Sequence, residues 1–267
     1  MRKEVQRRRA GGAKVRFPDV PMCVLVLCSL WISGPSVALA QSEDFEIPRV
    51  ENGRPDFQGL WAGVPGTRGS DNSHPFFGER MDYLPEALAI KEQLAGRLGN
   101  DRTYFFCAGA AVPAQILNIP YPFLIFQDDS NVVLFHEYAH DVRVIPTDGS
   151  PHPDREAYTG LSGDSRGRWE GDTLVVDVTN FLEGNNRLTR VGDFLSGNAR
   201  IVERWTLVAP DRLRYEITAE DPTVLASPWT VSDDLVRQPE GDWIFDTSCR
   251  EGEQDLEHVL RSPDYVP

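Results

Sequence analysis

Along most of the second half of the chain, apolar and polar residues alternate, and turn-forming residues interrupt the alternation at short intervals. In Thr173–Phe181, Leu174, Val176 and Val178 fall on one face and Val175, Asp177 and Thr179 on the other, the period-two pattern of a strand with one face in a core. Arg166–Trp169 precedes it across Glu170-Gly171-Asp172, a short Gly-containing connection, so the stretch predicts a β-hairpin. The same reading pairs Phe123–Gln127 with Val132–Tyr138, Ile201–Leu207 with Leu213–Thr218, and Pro228–Arg237 with Trp243–Thr247. With Asp56–Gly63 and Asp141–Ile145 this gives about ten strands. Ala87, Ile90, Leu94 and Leu98 share a face between Pro85 and Gly99, which predicts one amphipathic helix over Leu84–Leu98; a second, shorter one falls over Glu253–Leu260. Consecutive hairpins without crossover helices mean an antiparallel meander, and closing it into an up-and-down barrel removes exposed edges.

Charge and cysteine usage narrow the setting. A basic stretch with Arg7, Arg8, Arg9, Lys14 and Arg16 precedes the apolar run Met22–Ile32 and the small-residue site Ala38-Leu39-Ala40. This predicts a cleaved export signal over residues 1–40, with Gln41 as the mature N-terminus. The apolar run is too short to span a bilayer, and the product is expected to be periplasmic or secreted, with no membrane insertion after cleavage. Removing it leaves 27 − 7 = 20 basic and 41 − 2 = 39 acidic groups, a net charge of 20 − 39 = −19. Nucleic acid is a poor partner for such a chain. Cys107 and Cys249 are the cysteines left after cleavage and are expected to form a disulfide, worth roughly 4–5 kcal/mol in the chain-entropy picture. Residues 41–54 read as a disordered leader and 55–267 as a single barrel domain with a helical insertion near 84–99.

Gly163–Asp177, G-D-S-R-G-R-W-E-G-D-T-L-V-V-D, taken with D-F-Q-G-L-W upstream, H-D-V-R-V-I-P-T-D-G before it, and E-R-W and D-P with P-W-T after it, resembles a family of uncharacterised exported bacterial proteins. That resemblance covers roughly Pro55 to Glu251 and implies a lipocalin-like, calycin-type barrel; Gly59-Leu60-Trp61 is similar to the G-x-W of the first lipocalin strand. The expected fold is therefore mainly β, an antiparallel up-and-down lipocalin-like barrel of about 8–10 strands with one or two peripheral helices. Family members often carry N-E-x-x-H-D where this chain has His136-Glu137-Tyr138-Ala139-His140-Asp141, and Cys-His-Glu-Gly where it has Cys249-Arg250-Glu251-Gly252.

His136-Glu137-x-x-His140 matches the H-E-x-x-H string of zinc proteases, which works because a helix puts both imidazoles on one face. Here the flanks, Val132-Val133-Leu134-Phe135 and Val142-Arg143-Val144-Ile145, favour strand, where residues four apart stand roughly 13 Å from each other. No metal is expected. In an extended segment Glu137, Asp141 and Arg143 share one face and His136, Tyr138 and His140 the other, with a turn near Ala139 bringing the two sets together. A histidine beside a carboxylate suits acid–base chemistry, so His140, Glu137 and Asp141 are the catalytic candidates. Glu203, between Ile201, Trp205 and Leu207, is a carboxylate on an apolar face and needs Arg143 or Arg166 as partner. Arg143, Asp164, Arg166, Trp169, Glu170, Asp177, Glu203 and Trp205 are the candidate ligand-binding residues, with Trp61, Trp229 and Trp243 also available to line a cavity.

No phosphate loop, nucleophile elbow or dinucleotide fingerprint occurs, so no cofactor is expected. The sequence points to an exported barrel that binds a small apolar or amphipathic molecule and performs a cofactor-independent lyase, isomerase or hydratase step. The alternatives are a carrier without chemistry and a structural envelope protein with a filled barrel.

Overall fold

The computed structural model describes residues 45–64, 81–96, 110–189 and 191–245. In chain order the elements are β1 (Gly59–Gly63), α1 (Pro85–Gly96), α2 (Ala114–Leu117), β2 (Phe123–Gln127), β3 (Asn131–His136), β4 (Val142–Pro146) and β5 (Asp164–Glu170). They continue with β6 (Thr173–Thr179), β7 (Asn185–Arg187), β8 (Phe194–Ser196), β9 (Arg200–Ala209), β10 (Arg212–Glu220) and β11 (Trp229–Arg237). Nine strands form one antiparallel sheet in the order β4-β3-β2-β1-β11-β10-β9-β6-β5, and β7 and β8 form a small side hairpin. Neighbours in the sheet are neighbours in sequence except β6 and β9, which the β7–β8 side hairpin separates, and the last strand, β11, which pairs with the first, β1, through Trp61↔Arg237 and its successors. The wall is a nearly closed up-and-down barrel, consistent with the lipocalin-like architecture, and its one unpaired joint lies between β4 and β5.

Local chemistry explains the turns. Gly171 takes φ 60° in the β5–β6 turn, and Asp128 accepts the backbone N–H groups of Ser130 and Asn131, both at 2.7 Å, to close β2–β3. Along each strand one face is apolar and turned inward: Val132 and Leu134 on β3, Leu174, Val176 and Val178 on β6, Ile201, Trp205 and Leu207 on β9, and Leu213, Tyr215 and Ile217 on β10 are all buried. Trp61, Trp205 and Trp229 are fully enclosed, with Trp205 against Tyr215 at 4.5 Å between ring centroids. These three tryptophans belong to the packed core, while Trp243 is exposed.

α1 begins on Pro85, one residue inside the expected start, and packs through Ala87, Ile90 and Leu94. Buried Asp193, beside β8, binds Lys91 of α1 at 2.7 Å and accepts from the Tyr83 hydroxyl at 3.1 Å. Gly192, at φ 90°, lies so close to the Lys91 carbonyl that no side chain fits there.

Within the expected leader, residues 45–54 make a bridge and a turn (Arg49↔Pro55; Gly53 N–H to Val50 O), and Arg49 forms a two-pronged pair with Asp172 at 2.8 and 3.1 Å. Trp243, Ile244 and Phe245 form no strand, because the edge of β11 expected to receive them is taken by β1. The rest of that segment, the second expected helix, and Cys107 and Cys249 lie outside the described residues.

Candidate functional site

The expected polar neighbourhood divides across the barrel wall. Inside, Arg143 of β4 donates to both Glu203 oxygens, Nη1 to Oε1 at 3.0 Å and Nη2 to Oε2 at 2.7 Å, and its Nε donates to Ser165 Oγ at 3.0 Å. Tyr215 completes the cluster, its hydroxyl donating to Glu203 Oε1 at 2.6 Å. Four strands, β4, β5, β9 and β10, meet in this cluster, which ties the unpaired joint together by side chains. Burial works to lower the Arg143 pKa, but the Glu203 charge and hydrogen bonds outweigh it and hold the guanidinium above its ordinary value. Burial, with the Glu203 charge, pushes the Tyr215 phenol well above its own. His136 is buried beside Phe123, and burial together with the Arg143 charge pulls its pKa from 6.5 to about 3, so the ring stays neutral.

Outside, Asp164 takes both forks of Arg166 (2.7 and 2.9 Å) and the Nδ1 of His152 at 2.6 Å. His152 Nε2 stands 3.6 Å from Asp177, which Arg200 holds at 2.8 and 3.1 Å. Glu170 is exposed between Arg168 and Arg204. Asp164, Arg166, Glu170 and Asp177 therefore belong to the outer surface, not to the interior with Glu203. Trp169 packs at 5.2 Å from Phe57, half-buried, and Trp205 is core.

The catalytic candidates separate as well. The chain leaves β3 at His136 and turns on Ala139 and His140, both at positive φ (59° and 50°), before β4 begins at Val142. That turn puts His136 and Arg143 on the inside and leaves His140 exposed, so the expected sharing of faces does not hold. His136 and His140 occupy opposite environments, unlike the shared helical face that the H-E-x-x-H motif uses. Glu137 is buried and accepts the backbone N–H of Phe245 at 3.0 Å. Of the three, Asp141 alone lines a groove.

That groove, of about 550 Å3, runs along the β4–β5 joint, lined by Asp141 to Val144 and Pro146 on one side and by Tyr158 and Leu161 to Ser165 on the other. The joint is tight at its far end, where a Cβ on Gly167 would stand 2.9 Å from Thr147 Cγ2 and 3.0 Å from Ile145 Cγ2. Gln115 of α2 donates to Asp141 Oδ2 at 2.5 Å and to Ser162 Oγ at 2.8 Å, pinning the groove's inner wall. Burial raises the Asp141 pKa despite hydrogen bonds from Gln115 and the Val142 amide and the more distant Arg143 charge. A second, narrow cleft between Gln115, His136, Tyr138 and Asp141 is too tight for water, and Gln115 Oε1 and His136 Nε2 have no hydrogen-bond partner among the described residues.

Gln115, His152, Ser162, Ser165 and Tyr215 were not among the candidates. Tyr215 had a legible signal, its place on the inward face of β10, whereas α2 is a single turn and too short to show a period. Among the described residues no three His, Cys, Asp or Glu side chains group as metal ligands. Fold and groove define a class: a mainly β, nearly closed up-and-down barrel with a lateral opening at one joint. Comparison with family models and with curated proteins finds no match.

Proposed function

We propose that the protein is an exported lipocalin-like barrel that binds a small amphipathic molecule in the β4–β5 groove, using Asp141 as its polar anchor. One observation carries the reading: the groove offers about 550 Å3 ending on a half-buried carboxyl that pairs with no cation among the described residues. Exposed Val142 and Val144 supply an apolar flank, so the ligand has an apolar body and a polar end. The export signal, the family resemblance and a Cys107–Cys249 disulfide belong to the same proposal. Free-thiol titration of the denatured, unreduced protein tests the disulfide, and two reactive thiols refute it.

A second reading rests on the raised pKa of Asp141, which suits a proton-exchanging group in a cofactor-independent isomerase or lyase step. Mass spectrometry of small molecules retained by the purified protein tests binding. Val142→Trp fills the groove from an exposed position and should abolish retention with the melting temperature unchanged; retention that survives this change refutes the groove.

A further inference from the structure

We infer that the ligand of this groove presents a primary ammonium group and that Asp141 is its counterion, an inference that rests on the groove being the binding site. Among the described residues, the charges around the groove are matched except at one place. Arg143 commits three N–H donors to Glu203 and Ser165 and is 4% exposed, so it has no free face for an incoming anion. Asp164 is held by Arg166 and His152. Among the described residues Asp141 receives only neutral hydrogen bonds, from the Gln115 amide and the Val142 N–H, and these together with the field of Arg143 do not offset its burial. A cation brought to Asp141 restores the ionised form and gains a charge-assisted hydrogen bond.

The surroundings select the kind of cation. Gln115 occupies Oδ2 and already donates to Ser162 Oγ, so the ligand meets the remaining Asp141 oxygen, which needs a donor. A quaternary ammonium has no donors; a primary ammonium has three on a compact head. Tyr158, 47% exposed, lines the opposite wall. Val142, Val144, Pro146 and Leu161 flank the path outward and suit an unbranched aliphatic or aromatic tail. The net charge of the exported chain, −19 by the sequence count, draws cations toward it.

The test is isothermal titration calorimetry of the purified protein near neutral pH with n-hexylamine, n-hexanol and hexanoate, three probes of matched tail. Hexylamine should bind about tenfold or more tighter than hexanol, with hexanoate weakest. Affinity for hexylamine should rise with pH through the Asp141 titration while that for hexanol stays flat, and Asp141→Asn should remove the preference but keep hexanol binding. Equal affinities, or a preference for hexanoate, in a protein whose binding is blocked by Val142→Trp would overturn the ammonium and leave the groove standing. Binding indifferent to Val142→Trp, or no binding of any probe, would overturn both.

Discussion

Strands β5, β6 and β9 carry two ionic systems on opposite faces of one wall, and the two behave differently because of solvent. On the inner face Arg143 and Glu203 are both nine-tenths or more buried, so each charge depends on the other and on Ser165 and Tyr215 for all of its solvation. On the outer face Arg200–Asp177 and Arg168–Glu170–Arg204 have water beside them, with the arginines 57%, 59% and 44% exposed. Hydrogen bonds of similar length thus carry unequal weight. The inner set joins strands that the backbone leaves unpaired, while the outer set decorates strands already held by their ladders.

The comparison is tested most severely by Arg143→Ala, which strands the Glu203 carboxylate in the core. It should cost about 3–5 kcal/mol in urea denaturation, whereas the triple change Arg143→Met, Glu203→Leu, Tyr215→Phe should recover most of that loss. Equal losses in both variants would mean that the cluster stabilises by net attraction rather than by mutual dependence.

His136 extends the inner system to pH. Its folded pKa is depressed from 6.5 to about 3, so the unfolded chain binds the proton first as the solution is acidified. The associated stability is present above about pH 6.5 and is lost progressively as pH falls toward 3, a total of a few kcal/mol. His136→Leu should flatten the fall between pH 6.5 and 4, measured by denaturation at several pH values.

At the joint itself, Gly167→Val should push β5 from Ile145 and Thr147 and cost about 1–3 kcal/mol, with ligand retention altered as the groove widens. Smallest of all, Arg200→Ala on the outer face should change stability by less than about 1 kcal/mol, and high salt should erase even that. A large, salt-resistant loss there would remove the distinction between the two faces.

What the sequence disclosed follows the same division. Alternation in β9 put Glu203 between Ile201 and Trp205 and so announced a buried carboxylate in need of an arginine, because strand periodicity is a local property. The turn at Ala139 and His140 was anticipated, but not its effect on facing: two non-glycine residues at positive φ reset the alternation, and His136 rather than His140 went inside. The partner of β11 was misread because Trp243–Thr247 is near in sequence, whereas the actual partner, β1, comes from the opposite end of the fold. Asp141 was legible as a carboxyl near the site, yet its anchoring by Gln115 depends on a contact between segments that no local pattern records.

The pairing of β1 with β11 also orders events during folding. Every other pair closes a shorter stretch of chain, the longest being β1 with β2 at Gly59↔Ile125. The register Trp61↔Arg237 must wait for a loop closure spanning nearly the whole barrel, the slowest kind of contact to find. Until then β1 and β11 each present a bare edge to whatever strand arrives, and a second chain caught at the same stage offers one. Crowded refolding should therefore yield exchanged dimers, joined where the monomer closes on itself.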